Sequence, residues 1–293
     1  AGAALSVVAG VLVGMVMFNS MVIGAILGIA ILSTSTAVTL RSLMEINEHH
    51  SRAFKMALSI DMADEVLAIL ALSLLTTYLT LGSVNPAAIF TLFLIVLGFF
   101  LLILTVGAKI VGQALLIFQR MGDEQILVSM PIVIVFIIAF ISENVGVAAV
   151  TGAFLAGLAM NQSPLTGPVI VPKMKTIAYG LFIPLFFAYS ALAIDLGSVV
   201  AFLPAILFLL IAGALAKYAG TGMLSHYFGF DSRERRLIGI GMIPRGEYSI
   251  IISQLALVAG AITNQVYTTL IAFVVLSIVI TPILLRAASR RRF

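Results

Sequence analysis

Residues 55–75 read KMALSIDMADEVLAILALSLL, an apolar run that carries three acids, Asp61, Asp64 and Glu65. Their i, i+3, i+4 spacing places all three on one face of a helix, about one turn apart. A carboxylate near the centre of a bilayer costs roughly 2.5–3.5 kcal/mol on insertion scales, so three on one face need partners or water. An ionisable residue inside a membrane span points first to ion or proton handling.

The rest of the chain supports a membrane setting. Of its 293 residues, 62% are hydrophobic and 10% charged, whereas about a quarter are charged in a soluble domain. The expected class is an all-α polytopic membrane protein, because the alternation of a β-barrel is absent. The lack of Cys excludes disulfides, thiolate metal sites and thiol catalysis. With no Trp, interfacial anchoring falls to Tyr, Lys and Arg. The opening AGAALSVVAGVLVGMVMF has neither an initiator Met nor a basic n-region. It reads as a span rather than a signal peptide, and further N-terminal helices are expected to precede it.

Ten apolar segments can be placed at 2–19, 21–43, 52–81, 87–119, 125–143, 146–161, 176–194, 199–226, 237–261 and 266–286. Each is near the roughly 20 residues that cross the hydrocarbon. Counting spans puts Arg41, Arg52, Lys55, Arg120, Lys173, Lys175, Arg233, Arg235, Arg236, Arg286 and Arg290 to Arg292 on one side, while the opposite loops SVNP and AITNQ lack Lys and Arg. The positive-inside rule makes that basic side, and the C-terminus, cytoplasmic. His49, His50 and His226 fall at cytoplasmic helix ends and read as solvated, as does Asp195 at an outer end. Lys109 can snorkel to the interface.

Two spans look interrupted. The second contains ILSTSTAVTLRS, whose hydroxyl and β-branched residues favour a break near 33–37. The ninth contains GIGMIPRGEYSII, where Gly239, Gly241, Pro244 and Gly246 favour a break near 243–247. Irregular backbone at membrane depth survives only where protein or a watery cavity covers it. Spans one to three and eight to ten run in opposite orientation, and paired interrupted helices in inverted halves mark a transporter's midplane site.

Asp64 and Glu65 lie about twelve residues, roughly 18 Å, from the cytoplasmic end of their helix, and Lys217 about nine residues from its own. An acid–base pair at that depth would offset part of the burial cost of each. It is read either as a static ion pair or as a site where proton and cation compete; the residues alone do not say which carboxylate carries the cation. Thr34, Ser35 and Thr36 could coordinate a hard monovalent ion or only bond their own helix. Arg245 and Glu247 are assigned to support of the helix break, the guanidinium on freed carbonyls and the carboxylate on freed amides. Glu143 is read as a cap, vestibule or accessory residue near an outer helix end.

The ordered set STSTAVTLRSLMEI, ADEVLAILALSLL, GAFLAGLAM, IPLFFAYSALAIDL, ALAKYAG and GIGMIPRGEYSIIIS resembles the monovalent cation–proton antiporter superfamily, nearest its NapA-type sodium–proton branch. The resemblance covers nearly the whole chain. It implies an inverted-repeat fold with two discontinuous crossing helices, a first core repeat at 1–81, intervening core and dimer or linker helices at 82–198, and a second core repeat at 199–293. By that resemblance Glu65 binds cation and proton in turn, and Asp64 pairs with Lys217. The implied activity is exchange of sodium for protons by alternating access in a cell-membrane homodimer serving pH homeostasis, with no cofactor, no enzyme activity and no nucleic-acid partner. One departure bears on selectivity: the second acid is Glu65, where the family usually has Asp. Asp61 has no counterpart in the pattern; it is placed in the inner funnel or as a sharer of the proton load.

Potassium–proton exchange, or potassium efflux on the same fold, is the second reading, although the efflux systems carry a glutamine–aspartate pair. An intramembrane protease is the remote one. No GxGD signature occurs, and no histidine falls inside a span.

Overall fold

The computed structural model describes residues 1–48, 50–81, 86–120, 125–147 and 149–289. His49, Arg290 to Arg292, most of the SVNP loop and the side chain of Arg120 lie outside the described residues. All regular structure among the described residues is helical. The chain divides into two compact units, one built from Ala1–Ala71 together with the chain from Ala193 onward, the other from Leu72–Leu192.

The first unit opens with α1 (Gly2–Phe18) and α2 (Met21–Ala30). Asn19 takes a left-handed φ of 47° between them, a conformation Asn tolerates better than most residues. Ser20 then caps α2, its Oγ accepting from the Ile23 amide at 3.2 Å. The two helices pack through facing glycines: a Cβ on Gly10 would lie 2.2 Å from Gly28 N, and one on Gly14 2.1 Å from Gly24 Cα. Small-xxx-small spacing on both helices permits this backbone approach.

The chain continues through α3 (Thr36–Glu45) and the 30-residue α4 (Arg52–Leu81). In the second unit follow α5 (Pro86–Leu102), α6 (Ala108–Arg120), α7 (Ile126–Asn144), α8 (Ala149–Met160), α9 (Val171–Ile177) and α10 (Ile183–Leu192). Back in the first unit come α11 (Leu196–Ala201), α12 (Leu203–Lys217), α13 (Ser232–Gly241), α14 (Glu247–Val258) and α15 (Asn264–Ser289). Short π-helical turns at Ile103–Gly107, Thr166–Ile170, Ala178–Phe182 and Tyr218–Met223 join or extend several of them.

Among the described residues five helical stretches are long and apolar enough to cross a membrane: Phe93–Phe118, Ile126–Asn144, Thr166–Leu192, Leu203–Phe228 and Asn264–Ser289. Shorter apolar helices are Gly2–Phe18, Met21–Ala30, Ala149–Met160 and Glu247–Val258. The protein is an integral membrane protein. The stretch expected at 176–194 starts earlier, at Thr166, because π-helical turns carry the helical path through Gly167 and Gly180.

The apolar stretches at 21–43 and 237–261 are each two helices, α2 with α3 and α13 with α14. Their non-helical segments occupy 31–35 and 242–246. Both sit one or two residues before the expected places, since Thr36 and Glu247 already start the following helices. Leu43, Ala53, Ala57, Leu237, Ile238, Met242 and Leu285 form a buried apolar cluster from α3, α4, α13, the break that follows α13, and α15. Asp231 caps α13 in a capping box, accepting from the Arg233 and Glu234 amides at 2.7 Å while Glu234 Oε2 accepts from the Asp231 amide.

Candidate cation site

The two helix breaks meet. The Ser35 amide donates to Pro244 O at 2.8 Å, Thr39 Oγ1 to Gly241 O at 2.7 Å, and Ser249 Oγ to Ala30 O at 2.6 Å. Each bond takes up a carbonyl that a continuous helix would have satisfied internally. Approach is close enough that a Cβ on Gly246 would stand 2.7 Å from Ser35 Oγ.

Arg245 lies in the middle of this junction with no solvent exposure. Its Nη1 donates to Met242 O at 3.0 Å and Ser33 O at 3.1 Å, and its Nη2 to Gly213 O at 3.4 Å. Its own amide donates to Ser277 Oγ at 2.9 Å. One guanidinium thus bonds carbonyls from both breaks and from α12. A rigid planar donor suits that task better than an ammonium group would.

Beside the junction runs the acidic face of α4. Asp64 is buried and its Oδ2 accepts from Lys217 Nζ, which is fully buried at the end of α12. Oδ2 also lies 3.5 Å from Thr34 Oγ1, which is 3.4 Å from Met242 O and 3.5 Å from Arg245 Nη1. Glu65 is half-buried and its Oε1 accepts from Thr36 Oγ1 at 2.7 Å. Asp61 is 1% exposed, and neither of its carboxylate oxygens has a hydrogen-bond partner among the described residues. A cavity of about 650 Å³ reaches Asp64, bordered by Ser59, Ala63, Gly220, Leu224 and Phe228.

The remaining candidates fall at different distances from this centre. Ser35 is buried at the start of α3 and joins through its backbone. Glu247 begins α14, half-buried and in electrostatic range of Glu65, but makes no hydrogen bond to freed amides among the described residues. What it brings there is a negative charge in the first turn of α14. Glu143 is exposed at the end of α7, in the second unit. Asp195 is an exposed N-cap of α11, its Oδ1 accepting from the Gly197 amide at 3.0 Å. Sequence reasoning passed over Thr39, Ser249 and Ser277. Their signal was faint: each is a hydroxyl residue placed where a broken helix leaves a main-chain group free.

Residues 1–290 match the family described as "Sodium/hydrogen exchanger, transmembrane". The chain belongs to that family. It is 28% identical over 285 residues to the Na(+)/H(+)-K(+) antiporter GerN of Bacillus cereus, covering 97% of this chain and 73% of that protein. It is 27% identical over 264 residues to the Na(+)/H(+) antiporter of Enterococcus hirae, covering 90% of this chain and 69% of that protein. The glutathione-regulated potassium-efflux system protein KefC of Salmonella heidelberg is 26% identical over 272 residues, 92% of this chain but 43% of its own length. The family is one of transporters, and the first two relatives are named for antiport of Na(+) and H(+).

Proposed function

We propose that this protein exchanges a monovalent cation, sodium foremost, for protons by alternating access, with Glu65 as the carboxylate that takes cation and proton in turn. The carrying observation is the unequal state of two adjacent acids. Lys217 occupies Asp64, whereas among the described residues Glu65 bonds only the Thr36 hydroxyl and stays half-buried. A carboxylate with open coordination suits a hard cation, which prefers oxygen ligands. Thr36, bonded to Glu65, and Thr34, 3.5 Å from Asp64 Oδ2, are the hydroxyls proposed to join such a shell, with Ser35 between them in the chain.

The bonds between the two breaks favour a pair of discontinuous crossing helices, and with them the inverted repeat of 1–81 and 199–293 around intervening helices at 82–198. In this reading Arg245 and Glu247 hold the crossing together, Glu143 is an outer accessory residue, and the cavity at Asp64 is part of an aqueous approach. The basic loops favour a cytoplasmic C-terminus in a cell membrane. A homodimer is the proposed assembly, and pH homeostasis the proposed role.

The test is sodium-driven proton movement in proteoliposomes. Glu65→Gln and Asp64→Asn should each abolish or severely reduce exchange; variants that transport like the parent sink the assignment. Potassium as an additional cargo is a second reading, favoured by the extra methylene of Glu65 and by the relative named a Na(+)/H(+)-K(+) antiporter. Competition among lithium, sodium, potassium and rubidium separates the two.

A further inference from the structure

We infer that Asp61 is a further oxygen ligand for the transported monovalent cation, which it shares with Glu65 across Thr36. The inference rests on the transport reading above and extends its site by one turn of α4. Its starting point is a buried acid with nothing to bond: Asp61 is 1% exposed, and both carboxylate oxygens lack a hydrogen-bond partner among the described residues. Desolvating an unpaired carboxylate is costly, so the position is stable only with a counter-charge or in neutral form.

Among the described residues, the positive groups in range of Asp61 are Lys217 and Arg245, and both bond elsewhere. Lys217 Nζ bonds Asp64, and the Nη atoms of Arg245 bond the carbonyls of Met242, Ser33 and Gly213. Arg245 Nε also lacks a partner, so it does not reach Asp61 either. The other titratable groups in electrostatic range of Asp61 are Asp64, Glu65 and Tyr248, none of which brings positive charge. A mobile cation would supply the counter-charge that Asp61 needs.

The geometry suits one. Asp61 and Glu65 are four residues apart on one helix face, about 6 Å along the axis. Thr36 is in range of both carboxyls but hydrogen-bonds only Glu65 among the described residues, its hydroxyl hydrogen going to Oε1 at 2.7 Å. Its oxygen lone pairs therefore stay available to a metal ion. Two carboxylates and a hydroxyl are the hard donors an alkali ion takes. Two negative charges against one cation leave a surplus that Arg245 and Lys217 offset at longer range.

Asn is nearly isosteric with a protonated Asp, which makes the test sharp. Equilibrium binding of radiolabelled sodium to the purified chain in detergent is measured for the parent and Asp61→Asn at one pH. Sodium affinity should fall at least about tenfold, roughly 1.4 kcal/mol. Affinity within about twofold of the parent overturns the inference, since Asp61 would then be a buried neutral acid. Should Asp61→Asn fail to purify as a monodisperse species, Asp61→Glu decides. A changed preference among lithium, sodium and potassium supports coordination, and an unchanged one overturns it. A parent that exchanges sodium for protons while Asp61→Asn binds normally sinks Asp61 alone. A parent that neither exchanges nor binds sodium sinks the transport reading as well.

Discussion

The amide of Ser35 donates to the carbonyl of Pro244 across 2.8 Å, joining two helix breaks that lie more than two hundred residues apart in the chain. Proline can supply that carbonyl but no amide of its own, so the junction is one-directional there. Gly246 completes it by letting Ser35 approach. Gly246→Ala would place a Cβ 2.7 Å from Ser35 Oγ and 2.8 Å from Ser35 Cβ. The expected cost is about 1–3 kcal/mol of overpacking, with slower exchange, read as a lower melting temperature in detergent and reduced flux. A variant with the parent's melting temperature would show that the junction yields easily.

The Lys217–Asp64 pair predicts strong coupling in a double-mutant cycle. Lys217→Met leaves a carboxylate buried without its partner, which should destabilise by about 3–5 kcal/mol. Adding Asp64→Asn should recover much of that loss. Thermal unfolding of the four proteins checks this, and simple additivity would mean the two side chains do not depend on each other.

Thr36 and Glu65 predict a division between affinity and turnover. Thr36→Ala deletes the 2.7 Å bond to Oε1, worth about 1.5–3 kcal/mol to a charged acceptor. The apparent KM for sodium should change severalfold while maximal flux remains measurable. Glu65→Gln keeps an oxygen that accepts from Thr36 but removes the charge, so flux should be lost with stability near the parent's. Equal losses of stability in both variants would recast Thr36–Glu65 as a packing bond.

Asp231 gives a prediction about pH at the α13 cap. The backbone amides of Glu234 and Arg233 hold its carboxyl below its ordinary value of 3.8. A depressed acid stabilises the fold above its unfolded pKa, and that contribution fades as pH falls through the folded pKa. Asp231→Ala should therefore cost about 1 kcal/mol or less at neutral pH, given the exposure of the site, and less still at strongly acidic pH, where the neutral carboxyl keeps an acceptor oxygen but loses its charge. Amide exchange at residues 232–235, followed against pH, checks it; a penalty unchanged by acid would show that the charge adds nothing to the cap.

Much of this protein was legible in one dimension, where the determinants are local or additive. Membrane class follows from summed composition. The shared face of Asp61, Asp64 and Glu65 follows from helical period, and the two interruptions follow from hydroxyl, Gly and Pro residues that weaken a helix wherever it sits. Lys217 was conspicuous because a lysine in an apolar run needs a reason. What those residues do with one another was not legible. Lys217 and Asp64 are 153 positions apart, and nothing in either helix says which of three acids the ammonium takes.

The same holds for Arg245, whose carbonyl partners come from Ser33, Met242 and Gly213, and for Asp61, whose carboxylate has no hydrogen-bond partner among the described residues. A carboxylate's partners depend on the directions of side chains brought together by packing, and only the tertiary structure sets those. Sequence alone thus determined that this chain carries acids into a membrane and breaks two helices near them. Tertiary structure decided the inequality among the acids, because burial and hydrogen bonding are properties of the assembled junction and not of any one helix.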